Sequence, residues 1–65
     1  MQLHIENMTC GGCARSVTAT IKEVDADATV EIDLPAKHVR IMSAQPAERF
    51  TRALDEAGFP AQQTP

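Results

Sequence analysis

The chain has 65 residues, a formal charge of −3, two phenylalanines and no tyrosine or tryptophan. An acidic chain with almost no aromatic platforms is a poor nucleic-acid binder, which needs a basic face and rings on which bases stack. No run of ~18 apolar residues exists to span a bilayer, and no basic stretch followed by an apolar one opens the chain as a signal peptide would. The expectation is one small cytoplasmic domain, with a mature secreted form as the alternative. At this length only ~60% of the unfolded surface is buried on folding, so the core is small.

Gln2 to Glu6 alternates, with Leu3 and Ile5 on one side and Gln2, His4 and Glu6 on the other, the pattern of a half-buried strand. Asn7 to Gly12 reads as a loop, with Thr9 as the expected helix N-cap. Ala14, Val17, Ile21 and Val24 then recur at intervals of three and four, which predicts an amphipathic helix from about Gly12 to Val24. Asp25-Ala26-Asp27 breaks it. Thr29 to Leu34 and His38 to Met42 alternate again and are joined by a short turn at Pro35-Ala36-Lys37, an antiparallel hairpin. Pro46 suits the first turn of a second helix. Phe50, Ala53, Leu54 and Ala57 form its apolar stripe, and Gly58 stops it. Phe59 to about Gln63 has room for one short edge strand, with a frayed tail over Gln62 to Pro65.

The order β-α-β-β-α-β predicts an α+β ferredoxin-like sandwich, an antiparallel four-stranded sheet with both helices on one face. Strand directions then bring the Pro35–His38 turn and the Gly58-Phe59 junction to the end that carries the loop after the first strand. The Asp25–Asp27 connection falls at the other end.

That loop holds both cysteines, Cys10 and Cys13, separated by two glycines. So short a span makes a weak staple, and such spacing in a reduced chain reads as metal or redox chemistry. A helix N-terminus favours negative charge, hence the thiolate, which is both ligand and nucleophile. Soft thiolates select soft cations. Cu(I) accepts two ligands, whereas Zn(II) prefers four and would be undersupplied. Gly11 and Gly12 are expected to let the sulfurs converge and to leave them open to a partner. A structural pair with no metal is the bland alternative.

Asn7-Met8-Thr9-Cys10-Gly11-Gly12-Cys13 resembles the G-M-T-C-x-x-C motif of heavy-metal-associated domains. These include copper chaperones, the metal-binding domains of copper-transporting P-type ATPases, and mercury-binding proteins. The likeness extends through Val17, Ile21 and Val24, the hairpin, and the Ala57-Gly58-Phe59 ending, so residues 1–65 read as one such domain. It implies Cu(I) held by Cys10 and Cys13 and passed by thiolate exchange to a partner such as a copper ATPase metal-binding domain or a similar C-x-x-C protein. A metal-bridged homodimer through two facing loops is a further form. With Met1 opening the chain, a free-standing chaperone is expected, an excised domain being the alternative. A mercury(II) carrier is the rival within the class, and a thiol–disulfide redox module the rival outside it. Gly11-Gly12 lacks the proline or aromatic usual in redox C-x-x-C sites.

Two departures from the family pattern stand out. Asn7 replaces the usual glycine, and Asn is expected there for its tolerance of left-handed backbone. Phe59 stands where bacterial copper chaperones often carry tyrosine. It is expected to plug the core and to shield the sulfurs.

Among the remaining candidates, Met8 is expected in the core and not as a thioether ligand. Thr9 is not acidic, which tilts the resemblance from zinc toward copper. His4 is expected on the surface. His38 is weighed as a third ligand against an ordinary solvated turn residue, the favoured reading. Arg15 and Lys37 are either charge partners for a bis-thiolate site or solvated charges. Asp25, Asp27, Glu31 and Asp33 are assigned to solubility.

Overall fold

The computed structural model describes residues 1–64. In chain order these form β1 (Gln2–His4), α1 (Gly11–Val24), β2 (Thr29–Asp33), β3 (His38–Met42), α2 (Ala47–Glu56) and β4 (Gln62–Thr64). The strands make one sheet in the order β2-β3-β1-β4, every neighbouring pair antiparallel. The expected ferredoxin-like sandwich is the observed fold.

Period-two alternation decides which side of the sheet is dry. Leu3 of β1, Ile5 just beyond it, and Val39 and Ile41 of β3 are fully buried. Val17 and Ile21 of α1 meet them from above, together with Phe50 and Leu54 of α2. Each set follows from spacing: four residues place Val17 over Ile21, and four place Phe50 over Leu54. Both helices therefore cover the same sheet face. Gln2, His4, His38 and Arg40 lie on the other.

The hairpin turn runs through Leu34, whose carbonyl accepts from Lys37 N at 3.0 Å, and Asp33 Oδ1 accepts from Ala36 N at 3.3 Å. Lys37 takes φ 57°, the left-handed residue that closes such a turn. Its carbonyl then accepts from Ile5 N at 2.9 Å. The turn is thus pinned beside the end of β1, at the end predicted from strand directions.

Helix α2 stops as Gly58 foretells. Gly58 has φ 90°, its N–H donates to Asp55 O at 3.1 Å, and Phe59 N donates to Leu54 O at 2.8 Å. That pair of bonds is a Schellman cap. A Cβ at Gly58 meets no atom within 4 Å, so Gly58→Ala is opposed by backbone conformation alone. It is expected to cost about 1 kcal/mol of stability in chemical denaturation.

Three local expectations are corrected. The final strand is Gln62–Thr64, paired with β1 (Gln2 opposite Thr64), so Gln62 to Thr64 is ordered sheet and not a frayed tail. Pro65 lies outside the described residues. Pro60 has no N–H to give a ladder, so pairing begins only after it. Asp25 does more than keep the chain soluble: its carboxylate accepts from Ser43 Oγ and from Asp27 N, tying the α1–β2 connection to the end of β3. Asn7 does not adopt left-handed backbone, since Lys37 is the one non-glycine with positive φ among the described residues. Its side chain instead donates from Nδ2 to Gly58 O at 3.3 Å, joining the cysteine loop to the α2–β4 junction.

Candidate metal centre

The loop between β1 and α1 is anchored from below. Met8 is fully buried in the core, and Met8 N donates to Ile5 O at 3.1 Å. Thr9 and Cys10, the two residues just before the helix, are exposed. The N-cap is Cys10, not Thr9: its backbone is extended, and its sulfur accepts from Cys13 N at 3.3 Å. A thiol here does the job usually given to a serine or aspartate oxygen. Propensity favours Thr9, so this shift by one residue was hidden from sequence reading.

Helical spacing explains the arrangement of the pair. Residues three apart share a face, so Cys13 rises beside Cys10. Cys13 also stands one turn before Val17 on the apolar stripe, which leaves it half-buried against the core while Cys10 is exposed. The two sulfurs are 2.9 Å apart and both cysteines are free. Hydrogen bonding from Cys10 holds the Cys13 thiol below its ordinary 9.0, polar groups of Thr9 adding to the effect. One proton shared between two adjacent sulfurs favours a thiolate, the form that binds a soft cation.

The glycines do not act as expected. A Cβ at Gly11 meets nothing within 4 Å, and one at Gly12 meets Cys10 Sγ at an ordinary 3.9 Å. Neither has a positive φ. The sulfurs converge because of the cap and the helical spacing, and the glycines' contribution is an uncluttered approach.

The other candidates sort cleanly. Phe59 is partly buried against the core, as a plug should be. Lys37 Nζ pairs with Glu6 Oε1 at 3.1 Å, and Arg15 is exposed with no ion pair among the described residues. His38 is not a turn residue but the first of β3, and its Nε2 reaches Thr64 Oγ1 at 3.3 Å across the sheet face opposite the helices. No three of His, Cys, Asp and Glu converge on one point among the described residues. The loop therefore offers two sulfur donors, Cys10 exposed and Cys13 half-buried.

The model of the heavy-metal-associated domain matches residues 2–60. The chain belongs to this family. A solved structure described as a gold binding protein is 45% identical, with a TM-score of 0.96 over 98% of both chains. The copper chaperone Atx1 from Synechocystis PCC6803 is 37% identical, with a TM-score of 0.91 over 95% of this chain and 98% of that one. A copper transport protein ATOX1 homolog from Dictyostelium discoideum is 38% identical over 39 residues, 60% of this chain. The match spans 58% of that relative's length. No helix among the described residues is long and apolar enough to cross a membrane.

Proposed function

We propose that the protein is a non-enzymatic carrier that holds one Cu(I) between Cys10 and Cys13 and surrenders it by thiolate exchange. The observation that carries this reading is the open pair of free sulfurs 2.9 Å apart at the start of α1. Two soft donors satisfy Cu(I), and with no third His, Cys, Asp or Glu converging there among the described residues, room is left for an incoming one. The copper chaperone relatives support the choice of ion. The natural recipient is another protein with a C-x-x-C loop, such as the metal-binding domain of a copper-transporting P-type ATPase. An incoming thiolate bonds to the ion while one of the two original sulfurs lets go. Charge and coordination number then stay nearly constant along the path. We place this carrier in the reducing cytoplasm, where both thiols persist.

A second reading, Au(I) as cargo, has one observation behind it: the 45% identical structure is a gold binding protein. Au(I) is also soft, monovalent and content with two sulfurs, so the same geometry serves both. Hg(II), which also accepts two thiolates, is the rival cargo within the heavy-metal-associated family.

The test is competition of the reduced protein with a Cu(I) chelator, followed by mixing the loaded protein with a separate C-x-x-C domain. One ion per chain and rapid passage to the second protein are expected. Failure to take Cu(I) from the chelator refutes the reading. Met8→Leu sharpens it. Met8 is fully buried, so its thioether is not a ligand, and Cu(I) affinity is expected to be unchanged in that variant.

A further inference from the structure

The sheet face turned away from the helices carries a second set of ligand-type side chains. His4 of β1 lies directly opposite His38 of β3. Met1 and Ile41 exchange both main-chain bonds, Ile41 N to Met1 O at 2.8 Å and Met1 N to Ile41 O at 3.2 Å. Three residues along each strand from that doubly bonded pair, His4 and His38 fall at a position without main-chain bonds between them. Such positions bring Cα atoms to ~4.5 Å and side chains closest together. Both imidazoles are only half-buried.

Their outer nitrogens are already engaged. His4 Nε2 lies 2.8 Å from Glu6 Oε2, and the other oxygen of Glu6 takes Lys37 Nζ at 3.1 Å. The ionised carboxylate only accepts, so His4 Nε2 carries the proton, and the neutral ring keeps its lone pair at Nδ1. His38 Nε2 meets Thr64 Oγ1 at 3.3 Å, a hydroxyl able to accept from it, so the same tautomer is open to His38. Neither Nδ1 has a hydrogen-bond partner among the described residues. An imidazole whose far N–H is held by a carboxylate has its ring fixed in orientation, the usual support of a metal-binding histidine.

We propose that His4 and His38 form a second metal site through their Nδ1 atoms, for a borderline divalent cation of the Zn(II) class. Imidazole nitrogens prefer such ions, whereas the thiol pair prefers soft monovalent ones, so the two sites sort their cargo by donor type. Since no third His, Cys, Asp or Glu converges there among the described residues, water completes the coordination, and binding is weaker than at a four-ligand structural site. The bound ion bridges β1 to β3 and so favours the folded chain by mass action. This site does not depend on what the cysteines bind.

The test uses the full chain with Cys10→Ser and Cys13→Ser, which removes competing thiolates, titrated with zinc sulfate at mildly alkaline pH. One Zn(II) per chain is expected, with the ring resonances of His4 and His38 shifting together and the melting temperature rising with zinc. Adding His4→Gln or His38→Gln is expected to weaken binding at least tenfold, and Glu6→Gln by a smaller factor, with cooperative melting without metal showing that each variant folds. No binding at millimolar zinc overturns the proposal, as does affinity unchanged by either histidine substitution.

Discussion

Replacing either Cys10 or Cys13 with serine is expected to abolish tight Cu(I) binding. With two sulfur donors and no third His, Cys, Asp or Glu converging on them among the described residues, loss of one leaves a single thiolate and water, which no soft ion prefers. The fall in affinity should exceed the ~10–100-fold that follows loss of a group merely hydrogen-bonded to a ligand. The two variants should differ in stability, and that difference comes from the cap. Cys10 Sγ accepts from Cys13 N at 3.3 Å as the α1 N-cap. Serine is a favoured residue at that position, so Cys10→Ser is expected to melt no lower than the parent. Cys13 is packed against the core, and a hydroxyl there loses apolar contact, so Cys13→Ser is expected to melt slightly lower. Chelator competition reads the first effect and thermal unfolding the second. Equal Cu(I) affinity in all three chains would remove the thiol site from the account.

Phe50→Ala is expected to unfold much of the population at physiological temperature. Phe50 is the largest of the fully buried side chains and stands on α2 facing the sheet. Emptying such a position costs about 3–5 kcal/mol. A 65-residue chain is stable by only about 3–10 kcal/mol at the usual ~0.05–0.15 kcal/mol per residue. The substitution therefore removes a third of that stability or more, and the melting temperature should fall by about 12 °C or more. Met42→Ala supplies the contrast: Met42 is 63% exposed on the open side of β3, and its loss should leave the melting curve in place. Circular dichroism on the two variants separates a core that relies on Phe50 from one that repacks around its absence.

Acid should weaken the fold in a defined way. Hydrogen bonds from His4 and then Lys37 hold the Glu6 carboxyl below its ordinary 4.5. Asp25 is held below 3.8, chiefly by Ser43 and then by the Asp27 amide. A carboxyl with a lower pKa folded than unfolded adds stability above its unfolded pKa. That stability is lost as pH falls through the folded value. Unfolding free energy measured against pH should thus be level near neutrality and decline below about pH 4.5, the ordinary value from which Glu6 is lowered. Ser43→Ala should soften the lower part of that decline.

Much of this was legible in the sequence because it is local. Alternation located both hairpin strands, with β3 matching from His38 to Met42 and β2 ending at Asp33, one residue before Leu34. Apolar spacing located α1 and α2, and Gly58 marked the stop. Topology alone brought the Lys37 turn to the cysteine end. What escaped were bonds between residues far apart in the chain. Asn7 reaches Gly58 across 51 positions, and His38 reaches Thr64 across 26. No local pattern announces such partners. Asp25 looked like ordinary surface charge because Ser43, its partner, is 18 residues away. The cap at Cys10 was missed for a different reason: a sulfur is a weak acceptor, and a better one stood next to it in Thr9.

X-ray absorption at the copper edge of the Cu(I)-loaded, reduced protein measures the decisive quantity, the number and kind of atoms bound to the ion. Two sulfur neighbours per copper, with one copper per chain, is the predicted spectrum. A first shell of nitrogen or oxygen, or the same shell in the double Cys10→Ser, Cys13→Ser chain, would contradict it.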